Sequence, residues 1–395
     1  MKISVKFKFL KIMIKKLRNK FKYFDWKLFI PFITLCIISI MAVYSASGVN
    51  AHNSAIYFLK QTIYVGLGVC IVLVMAHLKI DFLKNPKFLF GNAVFLIVLL
   101  LIALNSASIN GAKGWISTGL FNIQPAEMCK LFLALYMAQK VADRAHKREI
   151  GAEIKNTFPI IIVVGMLFLI LIEPDLGGFL INLSIVLVVY LAGLNDFKKS
   201  FKLLATGFTV ALVGLQVLRF FNPFAYGPLK HWGYMYQRFT AYFTPFKYAN
   251  AEGKQLVNSY YAISNGGIFG VGIGNSIQKR GYLPEPHTDF ILSVIAEEKG
   301  LIGTVVVLIL LFLLIGRIFK IGIRSQDLYK SLICYGIGTF MFIETMFNVG
   351  GVNGLLPITG VTLPFVSYGG SSMVVLTASL GIVMNISANQ RRQKK

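Results

Sequence analysis

The sequence predicts an all-α polytopic integral membrane protein with about ten transmembrane helices. Hydrophobic residues make up 56% of the 395 residues and charged residues only 14%, and the mean hydropathy is +0.67. A soluble globular chain carries about 25% charged residues, so lipid is the expected solvent. Long apolar runs recur along the chain, and every second loop between them is rich in lysine and arginine.

Each predicted helix is an apolar run of about the length that crosses a bilayer. The fifth and sixth runs are separated only by Glu173-Pro174-Asp175, and its proline and two charges predict a re-entrant turn at one membrane face. The ten runs are Leu28–Ser47, Tyr57–His77, Phe88–Leu104, Pro125–Val141, Phe158–Ile172, Leu176–Leu194, Phe201–Phe221, Asp289–Ile315, Ser331–Phe347 and Pro364–Ile386.

The basic residues predict the orientation of the helices. They concentrate in the tail 1–25, in the loops after the second, fourth, sixth and eighth runs, and in the end 389–395. The positive-inside rule then places both termini in the cytoplasm and makes residues 26–388 the transmembrane bundle. Anionic lipid headgroups explain the net charge of +24, so we expect no nucleic acid as partner.

One long extracellular loop, residues 222–288, is expected between helices seven and eight. Its many tyrosines suit the interfacial layer of the membrane. Gly266, Gly270 and Gly274 recur at four-residue intervals, which predicts a half-buried helix that packs closely on the bundle.

Acidic residues locate the expected chemistry. Nine of the 16 lie in predicted spans or on the outer face. Because an ionisable group in a span costs a few kcal/mol or more, it is usually paired or functional. The nine are Glu127, Glu173, Asp175, Glu252, Glu285, Asp289, Glu297, Glu298 and Glu344.

Two clusters leave a structural alternative open. Glu127 and Lys130 are three positions apart on one helix, so they share a face and form either a functional pair or an ion pair that steadies the bundle. Asp175 lies at a broken helix end, where it is either functional or a cap of the following helix.

A third cluster favours function more strongly. Glu285, His287 and Asp289 occur within five residues, after a proline and before a long apolar run. A carboxylate that is partly desolvated near a membrane surface has a raised pKa and can act as a general base. The alternative is that Thr288 or Asp289 merely caps the helix that follows.

Several classes of protein lack their sequence signatures. The five histidines include no His-x-x-x-His pair, the four cysteines lie in apolar stretches, and there is no Gly-x-Ser-x-Gly or Walker loop. What remains is a lipid-facing group transfer, a transporter or a non-enzymatic scaffold. The outer clustering of the charges disfavours alternating access, and the cost of acids in lipid disfavours the scaffold.

These motifs together resemble the SEDS family of cell-wall glycosyltransferases, whose members include FtsW and RodA. The resemblance runs from about Trp26 to Ile386, and its last two motifs are long and specific. It rests on Gly111–Ile116, Gln124–Lys130, Glu173–Gly178, Pro284–Gly300 and Asn348–Ser372.

The resemblance implies a ten-helix bundle in the bacterial plasma membrane that polymerises lipid II into glycan strands on the outer face. It also implies a class B penicillin-binding protein, a transpeptidase, as partner, along with other divisome or elongasome membrane proteins. The wording Gly360-Val361-Thr362-Leu363-Pro364 and the long basic tail favour the division member over the elongation member.

The resemblance assigns the catalytic aspartate to Asp289. The hypothesis is that Asp289 takes the proton from the acceptor sugar's 4-hydroxyl, which attacks the anomeric carbon of the other lipid-linked sugar and displaces undecaprenyl pyrophosphate. The candidate cations for the pyrophosphate are Lys113, Lys130, Arg238, Lys279 and Arg280, or a divalent cation (Mg or Mn) near Asp289 and Glu285.

The other residues expected to bind substrate lie in the same motifs. The segment Asn348–Ser372 is uncharged and rich in glycine and proline, so it is either a wall of the substrate cavity or a tight loop that packs the last two helices. The sequence defines no ligand set for a metal. The expected substrate-binding residues are Trp115, Lys113, Glu127, Lys130, Asp175, Glu285, His287, Ser371 and Ser372.

Overall fold

The computed structural model describes residues 22–48, 51–78, 80–106, 114–117, 122–149, 158–194, 197–220 and 233–393. Within these residues the chain is almost entirely helical, which confirms the all-α class. The helices are α1 (Trp26–Ala46), α2 (Ala51–Met75), α3 (Pro86–Leu104), α4 (Pro125–Glu149), α5 (Phe158–Ile172), α6 (Leu176–Ala192), α7 (Phe197–Phe220), α8 (Gly233–Phe243), α9 (Lys254–Gly266), α10 (Ile291–Ile323), α11 (Leu328–Val352) and α12 (Gly370–Gln393).

The remaining regular structure is short. Strand β1 (Ile116–Ser117) pairs antiparallel with β2 (Asn122–Ile123), and two 3₁₀ turns cover Ile80–Lys84 and Phe246–Tyr248. Each of the ten predicted apolar runs overlaps one of the helices. In the described part of the chain, six of the helices are long and apolar enough to cross a membrane: α1, α2 from Ser54, α3, α10, α11 and α12.

The predicted starts of the eighth and tenth helices were wrong. The eighth run was expected to begin at Asp289, but α10 begins at Ile291, so Asp289 precedes the helix. The last run was expected to begin at Pro364, but α12 begins at Gly370. Phe365 has a φ of 61°, which is incompatible with a helix, so the residues after Pro364 form a turn and the helix begins only at Gly370.

Helices α11 and α12 form the centre of the bundle. Helix α11 packs against α4, α6 and α10, and α12 packs against α2. The most apolar part of α12 is 83% buried, whereas that of α3 is 28% buried. The large apolar side chains left exposed on the outer helices provide the surface that lipid would contact, for example Phe95 on α3 and Leu313 on α10.

Helix α10 is interrupted at Gly300, where φ is 65° and ψ is −165°. The loop after α9 fills this break: Leu301 and Ile302 donate their backbone N–H groups to the carbonyl oxygens of Gly267 (2.9 Å) and Ile268 (3.3 Å). A Cβ at position 300 would lie 2.3 Å from the Ile268 oxygen, so glycine is required by both the space and the dihedral angle.

The predicted helix through Gly266, Gly270 and Gly274 was wrong. Helix α9 ends at Gly266, and Gly270 and Gly274 both have positive φ in an irregular segment. Gly266 and Gly270 allow the close approach of this segment to α10, because the Gly270 Cβ position lies 2.3 Å from the Glu298 carbonyl oxygen, whereas the Gly274 Cβ position faces open space.

A charged cluster ties three helices together at the start of α1. The side chain of Asp25 is fully buried and accepts hydrogen bonds from Arg317 Nη2 (2.7 Å) on α10 and from Ser387 Oγ (2.5 Å) on α12, and Arg391 Nη2 lies 2.9 Å from it. Burial opposes ionisation, but these partners outweigh it and hold the pKa of Asp25 below its usual range. The ion cluster therefore fixes the relative positions of α1, α10 and α12 at this end.

We expect Asp25→Ala to destabilise the fold by about 3 kcal/mol, because it leaves the partly buried guanidinium of Arg317 without its carboxylate. Thermal unfolding of the detergent-solubilised protein measures the effect. The control is Lys330→Ala, which breaks a pair with the one-third exposed Asp327 and should cost less than about 1 kcal/mol. Equal effects of the two substitutions would contradict this account.

Candidate active site

A cavity of about 790 Å³ opens where the chain is least regular. Its walls come from α2, the β-hairpin, the first turn of α4, the turn before α6, α8, the start of α9 and the loops before α10 and α12. The glycine- and proline-rich stretch contributes the residues from Ile358 to Thr362 and from Tyr368 to Ser372 to one wall of the cavity. The predicted site residues that line the cavity are Trp115, Glu127, Lys130, Asp175, Glu285, Asp289, Ser371 and Ser372.

Asp289 is held in the cavity wall through both its side chain and its backbone. Its Oδ1 accepts a hydrogen bond from Thr288 Oγ1 (3.0 Å), and its carbonyl oxygen accepts one from Asn348 Nδ2 (2.8 Å). The same amide donates to the Val361 oxygen (2.9 Å), so Asn348 joins the Asp289 segment to the opposite wall. The sequence did not single out Asn348 within the segment Asn348–Ser372, because no sequence pattern indicates that its side chain contacts the backbone of distant residues.

Burial raises the pKa of Asp289 to about 6, although Arg238 and the Thr288 hydroxyl act in the opposite direction. Arg238 lies on α8, donates to the Ile358 oxygen (2.9 Å) and interacts electrostatically with both Asp289 and Asp175. A carboxylate poised near neutral pH beside a cation is a suitable proton acceptor.

His287 was expected from the sequence to bind substrate, but it does not line the cavity. Its ring packs against Tyr57 and Tyr368, with centroid distances of 4.5 Å and 5.5 Å, and its carbonyl oxygen accepts the Tyr368 N–H (2.9 Å). Burial lowers the pKa of His287, which favours a neutral imidazole. The histidine therefore supports the Asp289 segment from behind. Lys113 lies outside the described residues.

Lys130 forms a buried ion triad. Its Nζ lies 2.6 Å from Glu127 Oε1 and 2.5 Å from Glu344 Oε1, and the lysine and Glu344 side chains are almost inaccessible. The predicted ion pair between Glu127 and Lys130 is therefore present, and both residues also line the cavity. Glu344 was known from the sequence only as an acid in a span. Because two carboxylates already share the lysine, its charge is largely compensated.

Asp175 caps α6, which confirms one of the two predicted alternatives, and it also lines the cavity. Its Oδ1 accepts the Gly178 N–H (2.8 Å) at the start of α6, and its Oδ2 accepts from Gln124 Nε2 (3.2 Å). The Gln124 N–H donates to Ser371 Oγ (3.2 Å), which links this corner to α12. Burial raises the pKa of the neighbouring Glu173 to about 9, with a further contribution from Asp175, so Glu173 is neutral at pH 7.

Lys279 is not available to bind a pyrophosphate. It is buried and donates to Glu298 Oε1 (2.7 Å) and Ser45 Oγ (2.8 Å). The adjacent Glu297 is also buried and accepts hydrogen bonds from the side chains of Asn265 and Ser276 and from the N–H groups of Ile277 and Gln278. The two consecutive carboxylates anchor to α10 the loop that leads to Asp289.

A divalent cation would find few protein ligands here. Among the described residues, no three His, Cys, Asp or Glu side chains lie together so as to hold a metal. Glu285 and Asp289 both line the cavity, but Mg²⁺ prefers six oxygen ligands. Such an ion would take most of its ligands from water or from a bound ligand.

A family model identifies the family to which the chain belongs. The FtsW/RodA/SpoVE family, described as "Cell cycle protein", matches residues 25–392. The chain belongs to this family. The resemblance inferred from the five motifs is thereby confirmed.

Relatives of known name cover nearly the whole chain. The chain is 34% identical to the "Probable peptidoglycan glycosyltransferase FtsW" of Enterococcus hirae, over 94% of each chain. It is 36% identical to the protein of the same name in Bacillus subtilis, over 94% of this chain and 92% of the relative. Stage V sporulation protein E of Bacillus subtilis is 34% identical over 93% of this chain and 98% of its own length.

Solved structures agree with this family. A chain described under "Structural coordination of polymerization and crosslinking by a peptidoglycan synthase complex" superposes with a TM-score of 0.72 at 26% identity, over 93% of this chain and 98% of the other. The rod shape determining protein RodA of Thermus thermophilus gives a TM-score of 0.64 at 26% identity, over 93% and 97%.

We expect Lys130→Met to lower the free energy of unfolding by about 3 kcal/mol or more, because two buried carboxylates lose their cation. Lys60→Met, at an exposed lysine that also lines the cavity, is the matched control and should leave thermal unfolding nearly unchanged. Adding Glu127→Gln and Glu344→Gln to Lys130→Met should restore part of the loss. No restoration would argue against charge compensation as the cause.

Proposed function

We propose that this protein is a peptidoglycan glycosyltransferase that polymerises lipid II into glycan strands at the outer face of the bacterial plasma membrane during cell division. The observation that carries the proposal is Asp289, a cavity carboxylate whose pKa is raised to about 6 beside Arg238. The family membership and the names of the FtsW relatives support both the activity and the division role. A volume of about 790 Å³ lies within the range of ligand pockets, roughly 300–1,000 Å³.

We further propose ten membrane crossings with both termini in the cytoplasm. The six long apolar helices support six of the crossings, and α4, α5, α6 and α7 would supply the others. Residues 1–25 and 389–395 would be basic cytoplasmic ends of the bundle 26–388, and the segment 222–288 would lie outside. The alternation of basic loops supports this arrangement.

In the proposed reaction Asp289 accepts the proton of the acceptor sugar's 4-hydroxyl. The oxygen then forms a bond to the anomeric carbon of the second lipid-linked sugar, and the bond from that carbon to the phosphate oxygen breaks. Undecaprenyl pyrophosphate leaves with the bonding electrons. Because pyrophosphate is a good leaving group, no second carboxylic acid is needed, in contrast to hydrolysis of an ordinary glycoside.

The developing charge on the pyrophosphate requires a cation. Besides the compensated Lys130, the cationic side chains among the described lining residues are Lys60, Arg238 and Lys254. Arg238 is the most suitable, because it already interacts with two cavity carboxylates and is held by the Ile358 oxygen. Trp115, Ser371 and Ser372 would contact the sugars.

A class B penicillin-binding protein is the proposed partner, with other membrane proteins of the divisome or elongasome. The similarity to a chain of a peptidoglycan synthase complex supports this assignment. A glycosyltransferase and a transpeptidase in one assembly would act on the same glycan strand.

Transport of lipid II is the second candidate. The buried charges of the Lys130 triad and the broken helix pair at Glu173–Asp175 are features that transporters share. A flipping assay with fluorescent lipid II in proteoliposomes separates the two activities. Flipping by a protein that makes no strands even with its transpeptidase would favour the transporter.

We expect Asp289→Asn to reduce strand synthesis from purified lipid II by about 100-fold to 10,000-fold, the range for loss of a general base. Asp143→Asn, at an exposed carboxylate on α4, is the control and should retain full activity. Both proteins are compared with and without the transpeptidase and are checked for equal thermal unfolding. Equal synthesis by folded Asp289→Asn and wild type would remove Asp289 as the base.

We expect the rate of strand synthesis at low substrate to fall about tenfold per pH unit below pH 6 and to level off above it. The reason is that Asp289 must be ionised to accept a proton, and its pKa is about 6. Arg238→Gln should move this midpoint to higher pH, because it removes a cation that lowers the pKa of Asp289. A midpoint that stays in place or moves lower in the pH–rate profile of Arg238→Gln would contradict the assignment.

A further inference from the structure

The segment Gly267–Ile277 follows α9 and exposes several large apolar side chains. Phe269 is 81% exposed, Ile273 60%, Ile268 59% and Ile277 49%. None of the residues from 267 to 278 carries a charge. Four large apolar side chains in eleven residues are more than scattered surface exposure accounts for. Among the described residues, nothing covers this surface.

The position of the segment along α10 sets its depth. Backbone hydrogen bonds join it to the helix on both sides of Gly300: Val271 N–H to the Glu297 oxygen (2.9 Å) and Leu301 N–H to the Gly267 oxygen (2.9 Å). Helix α10 carries Arg317 near its other end. Since a hydrocarbon core of about 30 Å corresponds to about 20 helical residues, counting back from Arg317 places Gly300 near the opposite boundary of that core.

The lipid-facing stripe of α10 continues directly into the segment. Leu301 and Ile302 are 57% and 51% exposed, and they lie beside Gly267 and Ile268 through the hydrogen bonds that fill the break. The exposed side chain of Ile268 therefore extends the apolar surface of a membrane-spanning helix rather than forming an isolated patch.

The backbone of the segment is suited to a medium without water. Gly270 N–H donates to the Gly266 oxygen (2.7 Å), Gly272 N–H to the Glu298 oxygen (3.0 Å) and Asn275 N–H to the Gly272 oxygen (3.2 Å). An irregular backbone is stable near lipid only where its polar groups are satisfied within the protein. The first charged residue after the segment, Lys279, turns inward to Glu298.

We propose that Gly267–Ile277 is inserted into the outer leaflet, where acyl chains surround Phe269, Ile268 and Ile273. The insertion anchors the irregular outer part of the protein at a fixed depth in the membrane. This proposal concerns the surface of the protein and is independent of the proposed glycosyltransferase activity.

The test uses nitroxide labels on single cysteines in vesicles of phosphatidylethanolamine and phosphatidylglycerol. All label variants carry Cys70→Ser, because Cys70 is exposed and would react with the label. Cys36, Cys129 and Cys334 are buried and are kept. The test variants are Phe269→Cys and Ile273→Cys. Leu313→Cys, at a lipid-facing position of α10, is the membrane reference, and Arg280→Cys, at an exposed charged position beyond the segment, is the aqueous reference.

The measured quantity is the ratio of the label's collision rate with oxygen to its collision rate with a water-soluble nickel chelate. This ratio should be several-fold higher at positions 269 and 273 than at position 280, and it should approach the ratio at position 313. Access of the nickel chelate equal to that at position 280 would overturn the proposal. Low access of both quenchers would also overturn it, because the surface would then be covered by protein, for example by a second copy of the chain.

Discussion

The structure depends on the compensation of charged side chains within an apolar bundle. Water is absent from the interior of such a fold, so each buried charge must find its partner within the chain. Asp25, Lys130 and Glu298 each meet this requirement with partners from other parts of the chain. The packing of α1, α4, α10, α11 and α12 therefore follows from electrostatics as much as from the contact of apolar surfaces.

The cavity exists because helices stop or break around it. The turn before α6, the irregular segment before α10 and the loop before α12 all bring backbone and polar side chains to one end of the bundle. Asn348 joins two of these walls through the carbonyl oxygens of Asp289 and Val361. A carboxylate in such a place is desolvated enough for its pKa to rise to about 6, yet it remains open to a ligand.

The sequence predicted the positions of the helices well, because apolar runs and basic loops have a direct physical cause in the membrane. It also indicated most residues of the candidate site, because acids are rare and costly in lipid. It could not predict contacts over long sequence separations, such as Lys130 with Glu344 or Lys279 with Glu298. The prediction of a helix through the glycines at positions 266, 270 and 274 was wrong because a four-residue spacing does not exclude an irregular backbone. Two of these glycines have positive φ.

The break in α10 has a consequence for how the protein is made. The N–H groups of Leu301 and Ile302 find their acceptors in residues synthesised earlier, Gly267 and Ile268. The hydrogen bonding of α10 is therefore complete only once the preceding segment has docked against it. The order of translation supplies that segment first, so its carbonyl groups exist before the helix that needs them.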